Sequence, residues 1–397
     1  MNIKYGYLCT LIILIHIILV AWSSWIHSPS TDEAAHLPSG LTILKQGRFD
    51  TYPVNPPLVR VTAALPLYSL NLNIPEVHVD HPRPEFFVGF KFLEENQETF
   101  RKFFFWSRLA CLPFSLLGAV VCFLWACDLF GNVSGLSALI FWCFSPNIIA
   151  HSSTIGPDVA ASSLGLLTCY LFSKWLWNPS LKLSLIMGFT LGLAESAKMS
   201  WIIFVVIFPL ILLLKYLKTH KTSKINYTKA SIFLFFSFLI ALLVLNTLYF
   251  FNGTMAKLGD IPFQSRFFQK IQKTELLGFS SSEIPLPFPV DYIKGMDLQK
   301  VDFESGRFDS YLLGTWQEKR GWYSYYIVGI LAKVPTPILA LSIISLAFIF
   351  LLRQQFINEH NLCCLLIPPL IFFIFISSQN GFSRHFRYIL PVLILWI

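Results

Sequence analysis

The sequence predicts an all-α protein that crosses a membrane many times. Of its 397 residues, 55% are hydrophobic and only 13% are charged, with a mean hydropathy of +0.60, whereas a soluble domain carries about 25% charge. Apolar runs of spanning length recur along the whole chain. The first, Tyr7 to Ile26, gives about 30 Å of helix at 1.5 Å per residue, enough to cross the hydrocarbon core. With so many spans behind it, this run reads as a retained signal anchor and not as a cleaved signal peptide.

Further spans are expected at about Phe103 to Cys127, Leu136 to Ala150, Val159 to Trp177, Leu183 to Ala194, Trp201 to Leu217, Ile232 to Phe251, Ile338 to Leu352 and Leu362 to Ile376. A last one begins near Tyr388 and meets the chain end at Ile397. That remnant is too short to cross. The sequence is therefore expected to lack a natural C-terminal part, with residues 1–397 forming a single transmembrane domain.

Orientation follows from Lys215, Lys218, Lys221, Lys224 and Lys229, which crowd one short loop and mark it as cytoplasmic. Counting spans back from it puts the N-terminus inside and two long polar loops outside, at about 28–102 and 252–324. The net charge of +8 (30 basic minus 22 acidic residues) is explained by that loop facing anionic lipid. No nucleic-acid partner is implied. All eight cysteines lie in or beside apolar runs, so neither a disulfide framework nor a Cys metal site is expected. There is no repeat of 20 to 50 residues, and no P-loop or dinucleotide fingerprint that would suggest an ATP-driven pump or a redox enzyme.

Chemistry concentrates where the first span emerges into water. Ser30-x-x-Glu33 reads as a capping box that starts a helix, with Gly47 as its stop and Pro38 as a kink or restart. Asp32 sits near the positive end of that helix and shares a face with His36. It is our candidate catalytic base. Glu33 reads as cap, as active-site carboxylate, or as both. His36 reads as an interfacial hydrogen-bonding side chain or a substrate contact. Asp32, Glu33 and His36 are too few ligands to support a metal, and no cofactor is required by anything in the sequence.

Asn55-Pro56-Pro57-Leu58 opens a second helix, with Asn55 as cap and a stripe of Leu58, Val61 and Leu65. This helix is expected on the membrane surface, with Arg60 at headgroup level. No structure is expected for Asn71 to Thr99. Arg108 is expected to snorkel. Asp158, at the outer start of a span, is either a helix cap or a functional group facing a cavity. Lys198 either pairs with Glu195, three residues away, or binds an anionic head group. The belt Gly321-Trp322-Tyr323-Ser324-Tyr325-Tyr326 precedes a bend at Lys333-Val334-Pro335. Arg384-His385-Phe386-Arg387-Tyr388 gathers cations on the outer side, against the positive-inside bias, which favours a bound anion.

In chain order, several of these stretches resemble the polyprenyl-phosphate-sugar glycosyltransferases of the GT-C superfamily, which holds the protein O-mannosyltransferases and the lipid A aminoarabinose transferase. The pieces are Asp32-Glu33-Ala34-Ala35-His36-Leu37-Pro38-Ser39-Gly40, Asn55-Pro56-Pro57-Leu58, Asp128-Leu129-Phe130-Gly131, and Ser145-Pro146 with Ala150-His151 and Asp158. They continue with Gly192-Leu193-Ala194 and Lys198, Gly321-Trp322-Tyr323, Lys333 with Pro335, and Arg387-Tyr388-Ile389-Leu390-Pro391. The resemblance implies a GT-C type helix bundle whose two long extracytoplasmic loops carry amphipathic surface helices. It also implies a polyprenyl-phosphate-linked sugar donor, a protein, lipid or glycan acceptor, and Asp32 as base. One departure stands out: the aminoarabinose enzymes look to carry a phosphate-contacting Lys where Asn55 stands. That contact would pass to Arg60, Lys198, Arg384 or Arg387, with His385 and Tyr388 as further substrate contacts.

The expected protein is thus a glycosyltransferase of the bacterial inner (plasma) membrane with its site facing outside. A lipid phosphate leaves as a stable anion, so the chemistry needs one base and no acid, unlike glycoside hydrolysis. The rival reading, a transporter or lipid-linked-sugar flippase, calls for ionisable groups at mid-span. Here they gather at outer span ends.

Overall fold

In the computed structural model the protein is described over residues 3–75, 83–97, 100–219, 225–276, 279–306, 309–351, 359–379 and 385–396. Five helices are long and apolar enough to cross a membrane, or seven if each of two bent pairs counts as one span. The spans are α1 (Ile3–Ile26), α5 (Phe100–Phe130), α8 (Pro157–Trp177), α10 (Phe204–Thr219, extended by a 3-10 turn from Met199) and α11 (Tyr227–Leu248). Between α8 and α11 packs α9 (Leu181–Ala197), and α5 packs on α6 (Asn132–Phe144), α8 and α1. The chain is an integral multi-pass membrane protein.

Both bent pairs break at proline. One span was expected over Leu136 to Ala150, but α6 and α7 (Pro146–Ser152) meet at 56°. Pro146 pushes Ser145 out of the helical region, to ψ 122. The expected bend before Pro335 is present: α14 (Tyr325–Lys333) turns by 116° into α15 (Thr336–Leu351). Beyond it lie α16 (Glu359–Ser378) and α17 (Leu390–Trp396). The expected Lys221 and Lys224, like Arg384, fall outside the described residues.

The first long polar segment folds as α2 (Thr31–Gln46), α3 (Pro57–Ala64) and α4 (Glu85–Glu95). The capping box of α2 is formed, and Gly47 ends the helix in the left-handed region at φ 65. Pro38 does not break α2, which runs through it. The carbonyl that Pro38 leaves without its helical donor, that of Ala34, is where Gly89 of α4 packs. A Cβ on Gly89 would stand 2.5 Å from it. α4, where no structure was expected, is held by burying Val88, Gly89 and Phe92. Gly89→Ala should therefore cost about 1–3 kcal/mol through overpacking, and thermal unfolding in detergent will show it as a lowered midpoint.

α3 departs from expectation. Pro56, not Asn55, occupies the cap position, and no side chain caps the helix. The buried residues are Pro57, Val59, Arg60, Ala63 and Ala64, while Leu65 of the expected stripe is exposed. Small residues decide the face, because a Cβ on Gly40 of α2 would lie 2.0 Å from the Arg60 carbonyl. Arg60 consequently sits inside the protein, not at headgroup level.

In the second polar segment, α12 (Arg266–Gln272) and α13 (Val290–Ser305) follow α11, with two short antiparallel hairpins, β1 (Glu275–Leu276) with β2 (Phe279–Ser280) and β3 (Ser310–Leu312) with β4 (Thr315–Gln317). A hydrophobic cluster including Ile43, Met199, Tyr249 and Tyr292 fastens this segment to the end of α2. Inside the membrane-spanning bundle, His16 bonds through both ring nitrogens, to the Cys143 carbonyl at 2.8 Å and the Ser115 hydroxyl at 2.9 Å.

Candidate active site

The start of α2, the start of α8, the residue after α9 and the short helix Phe386–Ile389 meet at one place. Arg387 reaches Asp32 at 2.6 Å and Asp158 at 3.7 Å, and Lys198 donates to the other oxygen of Asp158 at 2.7 Å. The result is a chain of alternating charge, Asp32–Arg387–Asp158–Lys198, with two carboxylates balancing two cations. Lys198 lies over the Tyr388 ring at 4.7 Å, and the His385 ring meets Tyr388 edge-on at 5.8 Å. Four stretches far apart in sequence thus supply one cluster.

Burial works to raise the Asp32 pKa, but the Arg387 guanidinium outweighs it and holds the carboxyl below its ordinary value. His36, one turn on, is fully buried against the Tyr52 ring at 4.8 Å. Desolvation lowers its pKa to about 4, so it is neutral at physiological pH. Lys198 is likewise lowered by burial, with Asp158 opposing. Lys198 does not pair with Glu195. It stands just past the α9 end with extended backbone (φ −155), so the helical i, i+3 geometry does not apply; Glu195 instead accepts from the Tyr292 hydroxyl at 2.6 Å.

Glu33 points away from this cluster. Arg108 donates to both its oxygens at 2.7 and 2.9 Å, the Ile155 amide donates to one at 3.0 Å, and the Ser30 amide to the other at 2.9 Å. With its acceptor sites taken, Glu33 has the geometry of a brace. Arg108 does not snorkel: it is buried and also donates to the carbonyls of Ser24, His27 and Ser28. The signal in the sequence was an arginine inside an apolar run, which calls for a partner. Arg60 donates to the Tyr52 carbonyl at 2.5 Å, and its Nε and Nη2 have no hydrogen-bond partner among the described residues. Asn55 contributes no cap and is half-buried. Among the described residues, no three His, Cys, Asp or Glu side chains group to hold a metal.

An apolar cleft of about 910 Å3 is lined among others by Trp125, Phe141, Leu166, Val334, Leu339 and Leu390. Leu390, three residues after Arg387 in sequence, is among the lining residues.

A family model described as dolichyl-phosphate-mannose-protein mannosyltransferase matches residues 99–250. The crystal structure of ArnT from Cupriavidus metallidurans in the apo state superposes with a TM-score of 0.54 at 13% identity, covering 99% of this chain and 58% of that one. The superposition gives the chain the fold of that structure, and the family model covers 152 of its 397 residues. No curated protein sequence matches it. The matched residues span α5 to α11 and include Asp158 and Lys198, while Asp32 and Arg387 lie outside the match.

Proposed function

We propose that this chain is a GT-C glycosyltransferase that moves a sugar from a polyprenyl-phosphate donor to a hydroxyl acceptor on the extracytoplasmic face of the bacterial inner membrane. The observation that carries this reading is the Asp32–Arg387–Asp158–Lys198 chain. It supports the reading because a carboxylate able to accept a proton stands beside two cations able to hold a phosphate. A lipid donor is supported by the apolar cleft, whose lining includes Leu390 and offers a prenyl chain an apolar surface.

The acceptor oxygen attacks the anomeric carbon as the bond from that carbon to the phosphate oxygen breaks. Asp32 takes the hydroxyl proton, and the departing phosphate keeps the bonding pair, held by Arg387 and Lys198. A single displacement inverts the anomeric centre. Asp32 tied to Arg387 is a weak base; an incoming phosphate competes for Arg387 and so restores basicity to Asp32. Base and leaving group are thereby coupled through one guanidinium.

The test is release of polyprenyl phosphate by the purified chain in nanodiscs, offered a panel of polyprenyl-phosphate hexoses and pentoses. No turnover with any lipid-phosphate sugar would reject the proposal. Arg387→Gln should raise the donor KM about ten- to a hundredfold, as expected for loss of a charge-assisted hydrogen bond of about 1.5–3 kcal/mol. An unchanged donor KM would remove Arg387 from the phosphate site.

A further inference from the structure

A second cavity, of about 410 Å3, lies between the C-terminal end of α13 and the segment that follows the β3–β4 hairpin. Among its lining residues are Glu304, Gln317, Lys319, Arg320, Trp322 and Tyr323. We propose that it is a binding site for an anionic saccharide, the carboxylate- or phosphate-bearing part of a glycan acceptor. The inference rests on the glycosyltransfer reading above and names its acceptor class.

Charge sets the ligand's sign. Lys319 and Arg320 are exposed at the cavity and make no ion pair among the described residues. The one lining carboxylate, Glu304, is already committed: it accepts the backbone amides of Arg266 and Phe267, at 2.8 and 3.2 Å, at the start of α12. Two cations therefore face the cavity against one carboxylate whose oxygens are already engaged, and that surplus of positive charge favours a ligand that brings its own negative charge.

Ring geometry sets the ligand's class. Trp322 is fixed by donating its indole N–H to the Ser310 carbonyl at 3.3 Å, and Tyr323 is 72% exposed. The apolar C–H face of a pyranose packs on such rings, while the buried Oε1 of Gln317, which has no partner, can accept from a sugar hydroxyl. The backbone is held in place for this. Lys319 sits in the left-handed region at φ 55, its amide donating to Asp309, and its carbonyl abuts Gly306, where a Cβ would stand 2.7 Å away. A phospholipid fits less well, because the described lining is mainly polar and aromatic, unlike the apolar cleft that includes Leu390.

Position connects this cavity to the reacting centre. Further back on α13, Gln299 donates to the Val54 carbonyl at 2.7 Å, and Leu298 packs with Ala35, Tyr52 and Val54. Tyr52 in turn lies against His36, one turn from Asp32. From Leu298 to Glu304 the helix rises about 9 Å at 1.5 Å per residue. Through these contacts α13 joins the cavity to α2, the helix that carries Asp32.

The full chain in nanodiscs, titrated with tetragalacturonate and with its neutral galactose tetramer, tests this. We expect the anionic tetramer to bind about tenfold or more tightly than the neutral one, and K319Q/R320Q to lose that preference about tenfold, the scale of two exposed charge-assisted contacts. The swap K319R/R320K should restore it, which separates charge from folding. Equal binding of both tetramers, or an anionic preference unchanged in K319Q/R320Q, overturns the proposal. So does competition by phosphatidylglycerol in the nanodisc that abolishes saccharide binding, since the site would then be a lipid headgroup site. Asp32→Asn should bind the tetramer like the parent. Saccharide binding without any donor turnover would defeat the glycosyltransfer reading alone, and donor turnover without saccharide binding would defeat this site alone.

Discussion

Asp32→Asn should reduce turnover by about a hundred- to ten-thousandfold while leaving donor affinity within a fewfold of the parent, because the amide keeps the shape and loses the proton acceptor. The parent's pH profile sharpens the test. Burial works against ionisation, but Arg387 helps hold the Asp32 carboxyl below its ordinary value, so before donor binds this carboxyl is ionised throughout the neutral and mildly acidic range. An acid limb in kcat/KM centred near pH 6 would have to come from another group. It would not come from His36, whose pKa of about 4 keeps it neutral there. Turnover of Asp32→Asn within tenfold of the parent would rule out Asp32 as base.

The same two groups bear on stability with a definite sign. The folded pKa of His36 lies below the ordinary value near 6.5, so the unfolded chain binds a proton that the folded chain refuses. Its contribution is whole above about pH 6.5 and is lost as pH falls toward 4. Asp32 behaves as a depressed carboxyl: its contribution is present above about pH 4 and is lost only as pH falls below that. Both changes make acid the destabilising direction.

Local features of this site were legible in the sequence, and long-range pairings were not. The capping box Ser30–Glu33 and the stop at Gly47 depend on neighbours within one helical turn, so residue types alone specify them. The meeting of Asp32, Asp158, Lys198 and Arg387 was legible as a requirement, because each sat at the same expected end of its span. What partners they would choose was not. Lys198 prefers Asp158 over Glu195 because the helix ends one residue earlier, and helix ends are poorly fixed by periodicity. Arg60 was misplaced because the apolar stripe of α3 suggested a buried face, whereas close packing through Gly40 selected the side carrying Ala63 and Ala64. No local pattern reports a backbone contact between two helices.

Arg108→Leu should cost about 3–5 kcal/mol, the penalty for leaving one member of a buried pair uncompensated. Arg108 and Glu33 are each about 1% exposed, so water cannot screen the orphaned carboxylate. The three carbonyls of Ser24, His27 and Ser28 lose donors at the same time. These carbonyls lie where α1 hands over to α2, so the damage is aimed at the geometry that positions Asp32. A Glu33→Gln/Arg108→Leu double variant should be destabilised by clearly less than the sum of its single changes, because each single change already breaks the same pair. Thermal unfolding of the four proteins in one detergent measures this coupling. Turnover separates the brace from a chemical role: if Glu33 only holds α2, Glu33→Gln should lose stability yet keep a parent-like pH profile. A shifted profile in Glu33→Gln, with stability unchanged, would instead make Glu33 a participant in proton transfer.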